Sequence, residues 1–303
     1  MISIIIPTYN RSRCIARALD SVLAQDYRDW EIVLVDDGST DATASVLQRY
    51  ADPRIRMFKH PFNRGVGAAK NTGLDQIRGE WFGILDSDDE LAPDALAELM
   101  RAAGAGPGIS AVTCNCIDSE TGSFTGRGFE GDLLLEPGQI YRQGRGEFWG
   151  ITKTELLQGR RLNENVVGWE DILWFGVEKK ALRYYLHRGL RVYHTGHGDR
   201  LSKIHVGSWA DIERNFRNHT ALLGEEEFLS CLRSWRPEQY LGIVFSAGLL
   251  LIERGERGRA FECARRLATC SGGLLKGLLI LLGVVAGPGS LTRLKQLKGL
   301  VKR

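Results

Sequence analysis

The sequence predicts an α/β protein: a doubly wound, mostly parallel sheet flanked by helices, followed by a helical C-terminal extension. Three observations carry this. Short β-rich apolar runs alternate with stretches of helical spacing through the first part of the chain, the rhythm of consecutive β–α units. Each β-rich run ends in a polar cluster, where sheets of this kind bind ligands. From about Gly207 onward the alternation stops and helical patterns take over.

In chain order, Ile2-Ser3-Ile4-Ile5-Ile6, closed by Pro7, reads as a strand buried on both faces, followed by the polar loop Thr8-Tyr9-Asn10-Arg11. Ile15, Leu19, Val22 and Leu23 recur at helical spacing, with Ser12 as the expected cap. Residues 30–35 form the second strand, ending in Asp36-Asp37-Gly38-Ser39-Thr40-Asp41, and the next helix carries Val46, Leu47 and Tyr50. A third strand at 55–58 is followed by the loop Asn63-Arg64-Gly65-Val66-Gly67 and a helix over 68–77. A fourth strand, 81–85, delivers Asp86, Asp88 and Asp89 to its C-terminal edge, ahead of a helix at 93–100. Another strand is expected at 109–117, and the Gly-rich polar stretch 118–146 is expected to be a long mobile loop on the acceptor side. Trp149, in the apolar run Phe148-Trp149-Gly150-Ile151, suits either sugar stacking or core packing. Glu170-Asp171 opens an apolar helical run, and Arg191-Val192-Tyr193-His194 reads as a strand entering a polar loop.

With 303 residues the chain has room for one large α/β domain and an appendage. Its hydrophobic content of 43% and charged content of 25% are ordinary for a globular protein. A net charge of +3 is too small to argue for nucleic acid as a partner. The six cysteines form no C-x-x-C pair and read as reduced and mostly buried, which suits the cytosol. Cys114 and Cys116 alternate within an apolar run and are expected on one strand face. The N-terminus has no basic region or cleavage site of a signal peptide, and no apolar run reaches the ~18–20 residues of a spanning helix.

Three carboxylates packed as closely as Asp86, Asp88 and Asp89 repel one another unless a cation joins them. Oxygen ligands suit Mg²⁺ or Mn²⁺, which also accept substrate phosphates. The plainer alternative is a solvated acidic turn that caps the following helix. The chain has neither G-x-G-x-x-G after its first strand nor G-x-x-x-x-G-K-[ST], so a phosphate would be held by the metal rather than by a glycine loop. The Glu170-Asp171 pair also has two readings: carboxylates stabilised by a helix dipole, or a base that takes a hydroxyl proton.

Four stretches in order, Ser3-Ile4-Ile5-Ile6-Pro7-Thr8-Tyr9-Asn10, Val35-Asp36-Asp37-Gly38-Ser39-Thr40-Asp41, Asn63-Arg64-Gly65 with Lys70-Asn71-Thr72-Gly73, and Leu85-Asp86-Ser87-Asp88-Asp89, resemble the family-2 inverting nucleotide-sugar glycosyltransferases of GT-A fold. The resemblance implies a nucleoside-diphosphate sugar donor, with UDP the expected nucleotide. Pro7, Thr8, Tyr9, Asp37, Arg64, Lys70, Asp86 and Arg200 would bind it, Asp37 accepting from the base. Asp88 would be the main metal ligand, with Asp86 and His197 completing the set for Mn²⁺ or Mg²⁺, and His194 is the rival histidine. Asp171, paired with Glu170, would be the base of a single inverting displacement. Lys70 departs from the family, which usually has Arg there, and lysine keeps the charge but loses the bidentate fork.

On this reading the catalytic domain runs over 1–206, its nucleotide-sugar half to about 117 and its acceptor half over 118–206, and 207–303 is a helical extension. The apolar stretch 272–287 and the basic, leucine-spaced tail 291–303 suggest contact with an anionic membrane surface, with a helical subdomain or dimer interface as the alternative. A glycan or lipid-linked glycan acceptor at the cytoplasmic face of the inner membrane then follows. A processive polysaccharide synthase is disfavoured because Gln158-Gly159-Arg160-Arg161-Leu162 lacks the Trp of Q-x-x-R-W and precedes Asp171. A sugar nucleotidyltransferase would need a basic Gly-rich loop after the first strand. A non-catalytic nucleotide-sugar sensor or assembly subunit remains the rival from another class.

Overall fold

The structure is a computed structural model that describes residues 1–166, 170–194 and 218–288. The chain divides into two compact units, Met1–Arg200 and Leu201–Arg303. The expected domain boundary at 206/207 lies outside the described residues.

The first unit is built on one nine-stranded sheet. Its elements are β1 (Ile2–Thr8), α1 (Ile15–Leu23), β2 (Trp30–Asp36), α2 (Thr43–Leu47), β3 (Ile55–Lys59), α3 (Val66–Asp75), β4 (Trp81–Ile84), β5 (Glu90–Leu91) and α4 (Ala95–Ala103). They continue with β6 (Ala111–Asp118), β7 (Leu133–Leu135), α5 (Gln139–Gln143), β8 (Phe148–Lys153), α6 (Asp171–Glu178) and β9 (Arg183–Tyr193). The strand order is β3-β2-β1-β4-β8-β6-β9-β5, and β7 adds to β9. The β3-β2-β1-β4 half is parallel throughout, as the alternation predicts. Beyond it the sheet is mixed: β8 runs antiparallel between β4 and β6, β6 and β9 are parallel, and β5 and β7 run antiparallel to β9.

Every residue of β1 and β2 is buried, which is why they read as continuous apolar runs. Period-two alternation sends Ile2, Ile4 and Ile6 to one face, against Ile15, Leu19 and Val22 of α1. Ile5, Val33 and Val35 go to the other, with Leu74 of α3 and Leu173 and Val177 of α6. Full burial of each such side chain stabilises the fold by about 1.5–3 kcal/mol. The close seat of α3 on β1 needs Gly73, where a Cβ would lie 2.3 Å from Ile5 Cγ2.

One expectation is corrected, and one open reading is decided. The stretch 118–146 is not one long loop: Leu135, Phe129 and Tyr185 form a small core beneath it, and it holds β7 and α5. Trp149 packs in the core, 5% exposed, with its indole N–H donating to Ile84 O at 2.7 Å. Cys114 and Cys116 do share the buried face of β6.

The second unit is helical over its described residues: α7 (Glu226–Trp235), α8 (Pro237–Glu253), α9 (Arg257–Ala268) and α10 (Leu274–Ala286). Helix α8 buries Tyr240, Val244, Ala247 and Leu251. Gly248 lets Ile280 of α10 approach, since a Cβ there would lie 2.3 Å from Ile280 Cδ1. Among the described residues no helix is long and apolar enough to cross a membrane.

Candidate functional site

The parallel half of the sheet brings its polar loops to one rim, because all four of its strands end on the same side. After β1, Asn10 takes a left-handed backbone (φ 51) and its Oδ1 accepts from Thr40 N at 2.9 Å, while its own N–H donates to Ser39 Oγ at 2.9 Å. The loops after β1 and β2 are thereby one unit. Tyr9 stands out of it, 39% exposed, while Pro7 and Thr8 are buried. Thr8 Oγ1 and Arg17 Nε are buried without a hydrogen-bond partner among the described residues. A buried hydroxyl left unpaired costs about 1–3 kcal/mol, which argues for a polar ligand at this rim.

Asp37 organises the loop after β3. Its Oδ1 lies 2.6 Å from His60 Nδ1 and accepts from Arg64 N at 3.0 Å, and its Oδ2 accepts from Gly65 N at 2.8 Å. The carboxylate is 2% exposed, so its observed work is to shape the loop that starts α3. The Arg64 side chain reaches Glu164 at 3.3 Å and is 43% exposed.

The acidic loop after β4 is the most heavily charged part of the rim. Arg191, on β9, forks onto Asp89, with Nε at 2.8 Å and a second, closer bond from its other nitrogen, and also reaches Asp86 Oδ2 at 3.0 Å. His194 N donates to Asp89 Oδ1 at 3.1 Å, and His194 Nε2 lies 3.2 Å from Glu90. Arg17 of α1 donates to the Asp88 carbonyl. Burial alone would lower the Arg191 pKa, but Asp86 and Asp89 hold it above the usual arginine range. Strand β5 pairs with β9, Leu91 opposite Arg191, and this register places the guanidinium under the loop.

Lys70, only 4% exposed, joins this loop to the start of α6. Its ammonium pairs with Glu170 and lies 3.4 Å from Asp86 Oδ1. Burial works against its charge, yet Asp86 and Glu170 raise its pKa. Burial also opposes ionisation of Asp86, but Lys70 and then Arg191 lower its pKa. Next to Lys70, Asn71 Nδ2 donates to Leu162 O at 2.9 Å and its Oδ1 accepts from Leu162 N at 2.8 Å, which ties α3 to the segment leading to α6. Asp171 is the first residue of α6, directly after Glu170.

The structure therefore brings together Thr8, Tyr9, Asp37, Arg64, Lys70, Asp86, Asp88, Glu170 and Asp171, each on the rim or joined to it by a contact or by chain adjacency. His197 and Arg200 lie outside the described residues. Sequence reasoning missed Arg191, Arg17 and His60.

Hard oxygen donors for a divalent ion are present. The half-buried Asp88 carboxylate has no hydrogen bond or ion pair among the described residues, whereas both Asp86 oxygens already face cations. Among the described residues no three His, Cys, Asp or Glu side chains converge as a ready metal cage. The set fits an ion that takes one or two protein carboxylates and completes its shell with phosphate oxygens and water.

The sequence pattern of "Glycosyl transferase family 2" matches residues 3–164. The chain is 36% identical over 200 residues to the GalNAc(5)-diNAcBac-PP-undecaprenol beta-1,3-glucosyltransferase of Campylobacter jejuni, covering 63% of this chain and 64% of that protein. It is 37% identical over 89 residues to the UDP-Glc:alpha-D-GlcNAc-diphosphoundecaprenol beta-1,3-glucosyltransferase WfgD of Escherichia coli, covering 29% of this chain and 35% of that protein. The chain thus spans less than two thirds of the length of either relative. The fold is similar to S. aureus TarS 1-349, solved in complex with UDP-GlcNAc, with a TM-score of 0.61 at 19% identity over 91% of this chain and 88% of that one.

Proposed function

Since the chain belongs to glycosyl transferase family 2, we propose that it moves a sugar, with inversion, from a nucleoside-diphosphate sugar to a hydroxyl of a lipid-linked glycan. UDP is the proposed nucleotide, in line with the UDP-glucose named for one relative and the undecaprenol-linked acceptors named for both. The observation that carries the reading is Lys70, which clamps the acidic loop to the start of α6 and so puts the donor-side carboxylates beside the acidic pair.

Pro7, Thr8 and Tyr9 would frame the base, with Asp37 and Arg64 shaping and closing that pocket. Asp88, with Asp86 and His197, would hold Mn²⁺ or Mg²⁺, whose charge would neutralise the diphosphate as it leaves. Lys70 and Arg200 would add cations beside the same phosphates. Asp171, the first residue of α6 beside Glu170, would be the group that takes the acceptor proton. The reaction is proposed for the cytoplasmic face of the membrane, with the catalytic domain running to about residue 206.

A donor panel with Mn²⁺ tests this. One UDP-sugar should raise the melting temperature, because a ligand of the folded state stabilises it. The same donor should be consumed with a lipid-linked acceptor extract. Binding without any transfer or hydrolysis would point instead to a non-catalytic nucleotide-sugar sensor.

A further inference from the structure

Helix α10 turns a narrow stripe inward and a broad apolar face outward. Of its residues only Gly277, Ile280 and Gly283 are buried. Leu274, Leu275, Leu278, Leu279, Leu282 and Val285 are between 40% and 83% exposed. Their spacing puts them on one side of the helix. Six large apolar side chains side by side form a contiguous patch of the kind that marks an interaction site.

Charge identifies what covers it. From Cys263 to Arg303 the sequence holds no Asp or Glu and eight Lys or Arg. Residues 289–303 lie outside the described structure, but five of these cations fall in that stretch. An apolar face inside an acid-free, cationic segment matches the boundary of an anionic bilayer, where acyl chains lie beside negative headgroups. A second copy of this chain fits less well, because the partner segment would carry the same cationic, acid-free sequence and so offer no complementary charge. The helix is 13 residues long, about 20 Å, against the roughly 30 Å of a bilayer core, so it lies in the surface and does not cross.

We infer that α10 is a membrane-surface anchor that seats its Leu274–Val285 face among the acyl chains of an anionic leaflet. This goes beyond the proposed transfer reaction and is read without donor or acceptor, so either can fail alone.

The test is co-sedimentation of the full chain with vesicles of phosphatidylcholine alone or with roughly a third phosphatidylglycerol. The protein should pellet with the anionic vesicles and far less with the neutral ones, and added salt should weaken the binding. Leu278→Glu with Leu282→Glu should cut anionic-vesicle binding by about tenfold or more. Both positions are exposed, so the melting temperature should stay unchanged and show that the variant folds. Wild-type protein that stays in the supernatant, or a double variant that pellets equally well, overturns the proposal. So does a dimer in light scattering that the two substitutions dissolve while vesicle binding is absent.

Discussion

The two sides of the site are built differently. On the proposed nucleotide side, the loops after β1, β2 and β3 hold one another through short polar contacts: Asn10 with Thr40, and Asp37 with Gly65. At the acidic loop after β4 and the start of α6, charges are held by ion pairs between residues far apart in the chain, Lys70 with Glu170 and Arg191 with Asp86 and Asp89. The first side is a set of loops tied to one another by side-chain-to-backbone hydrogen bonds. The second is a balance of buried charges, in which removing one member leaves others uncompensated. This charged part of the rim should therefore be the more sensitive to single substitutions, in chemistry and in stability.

The largest effect is expected at Asp171. Asp171→Asn should bind donor as wild type does and lower kcat by about 10²–10⁴-fold, the range for loss of a general base. Single-turnover assays beside donor thermal shifts check this, and full activity would remove Asp171 from the mechanism.

Arg191 comes next. Arg191→Met strips the counter-ion from Asp89, which is 1% exposed. It should destabilise the first unit by about 3–5 kcal/mol, read by denaturant titration, with Arg191→Lys restoring part of the loss. A comparable loss in Arg64→Met, on the nucleotide side, would erase the contrast, since that pair is 43% and 40% exposed and should contribute under about 1 kcal/mol.

Lys70→Met should raise the KM for donor by about tenfold, as one charge-assisted contact of about 1.5 kcal/mol would. It should change kcat less, since Asp171 is untouched.

The smallest effect is a predicted absence of change with pH. The Asp86 pKa is lowered, so its contribution to stability is full above the ordinary carboxylate range and is lost as pH falls through the lowered value. The Lys70 pKa is raised, so its contribution is full below the ordinary lysine range and is lost as pH rises through the raised value. The melting-temperature gap between wild type and Lys70→Met should therefore be constant from about pH 5 to about pH 9.

The same contrast explains what was legible in the sequence. Asp37, Asp86 and Asp88 directly follow apolar strands, and position after a strand is a local pattern, so the nucleotide side and the parallel half of the sheet were readable in order. Arg191 was not, because its partners lie about a hundred residues away and meet it only through the β5–β9 register. The antiparallel insertion of β8 between β4 and β6 was hidden for a similar reason: Phe148–Lys153 is a short apolar run like any other, and nothing within it states its neighbours. The Gly-rich stretch before it concealed β7 and α5, since its few apolar anchors, Phe129 and Leu135, find their partner Tyr185 only in the fold. The resemblance led correctly to the family, while the Lys70 clamp could be seen only once α3 and α6 were placed.

The central claim is that the acidic rim holds a divalent ion together with an activated sugar, Asp88 being its main protein ligand. Isothermal titration of Mn²⁺ into the protein, with and without UDP-sugar, tests it most directly. Mn²⁺ should bind weakly alone and at least about tenfold more tightly with the donor present, because the diphosphate completes its shell, and Asp88→Asn should abolish that gain while leaving the melting temperature of the free protein unchanged. Equal Mn²⁺ affinity with and without donor, or an Asp88→Asn variant that keeps the full gain, would contradict it.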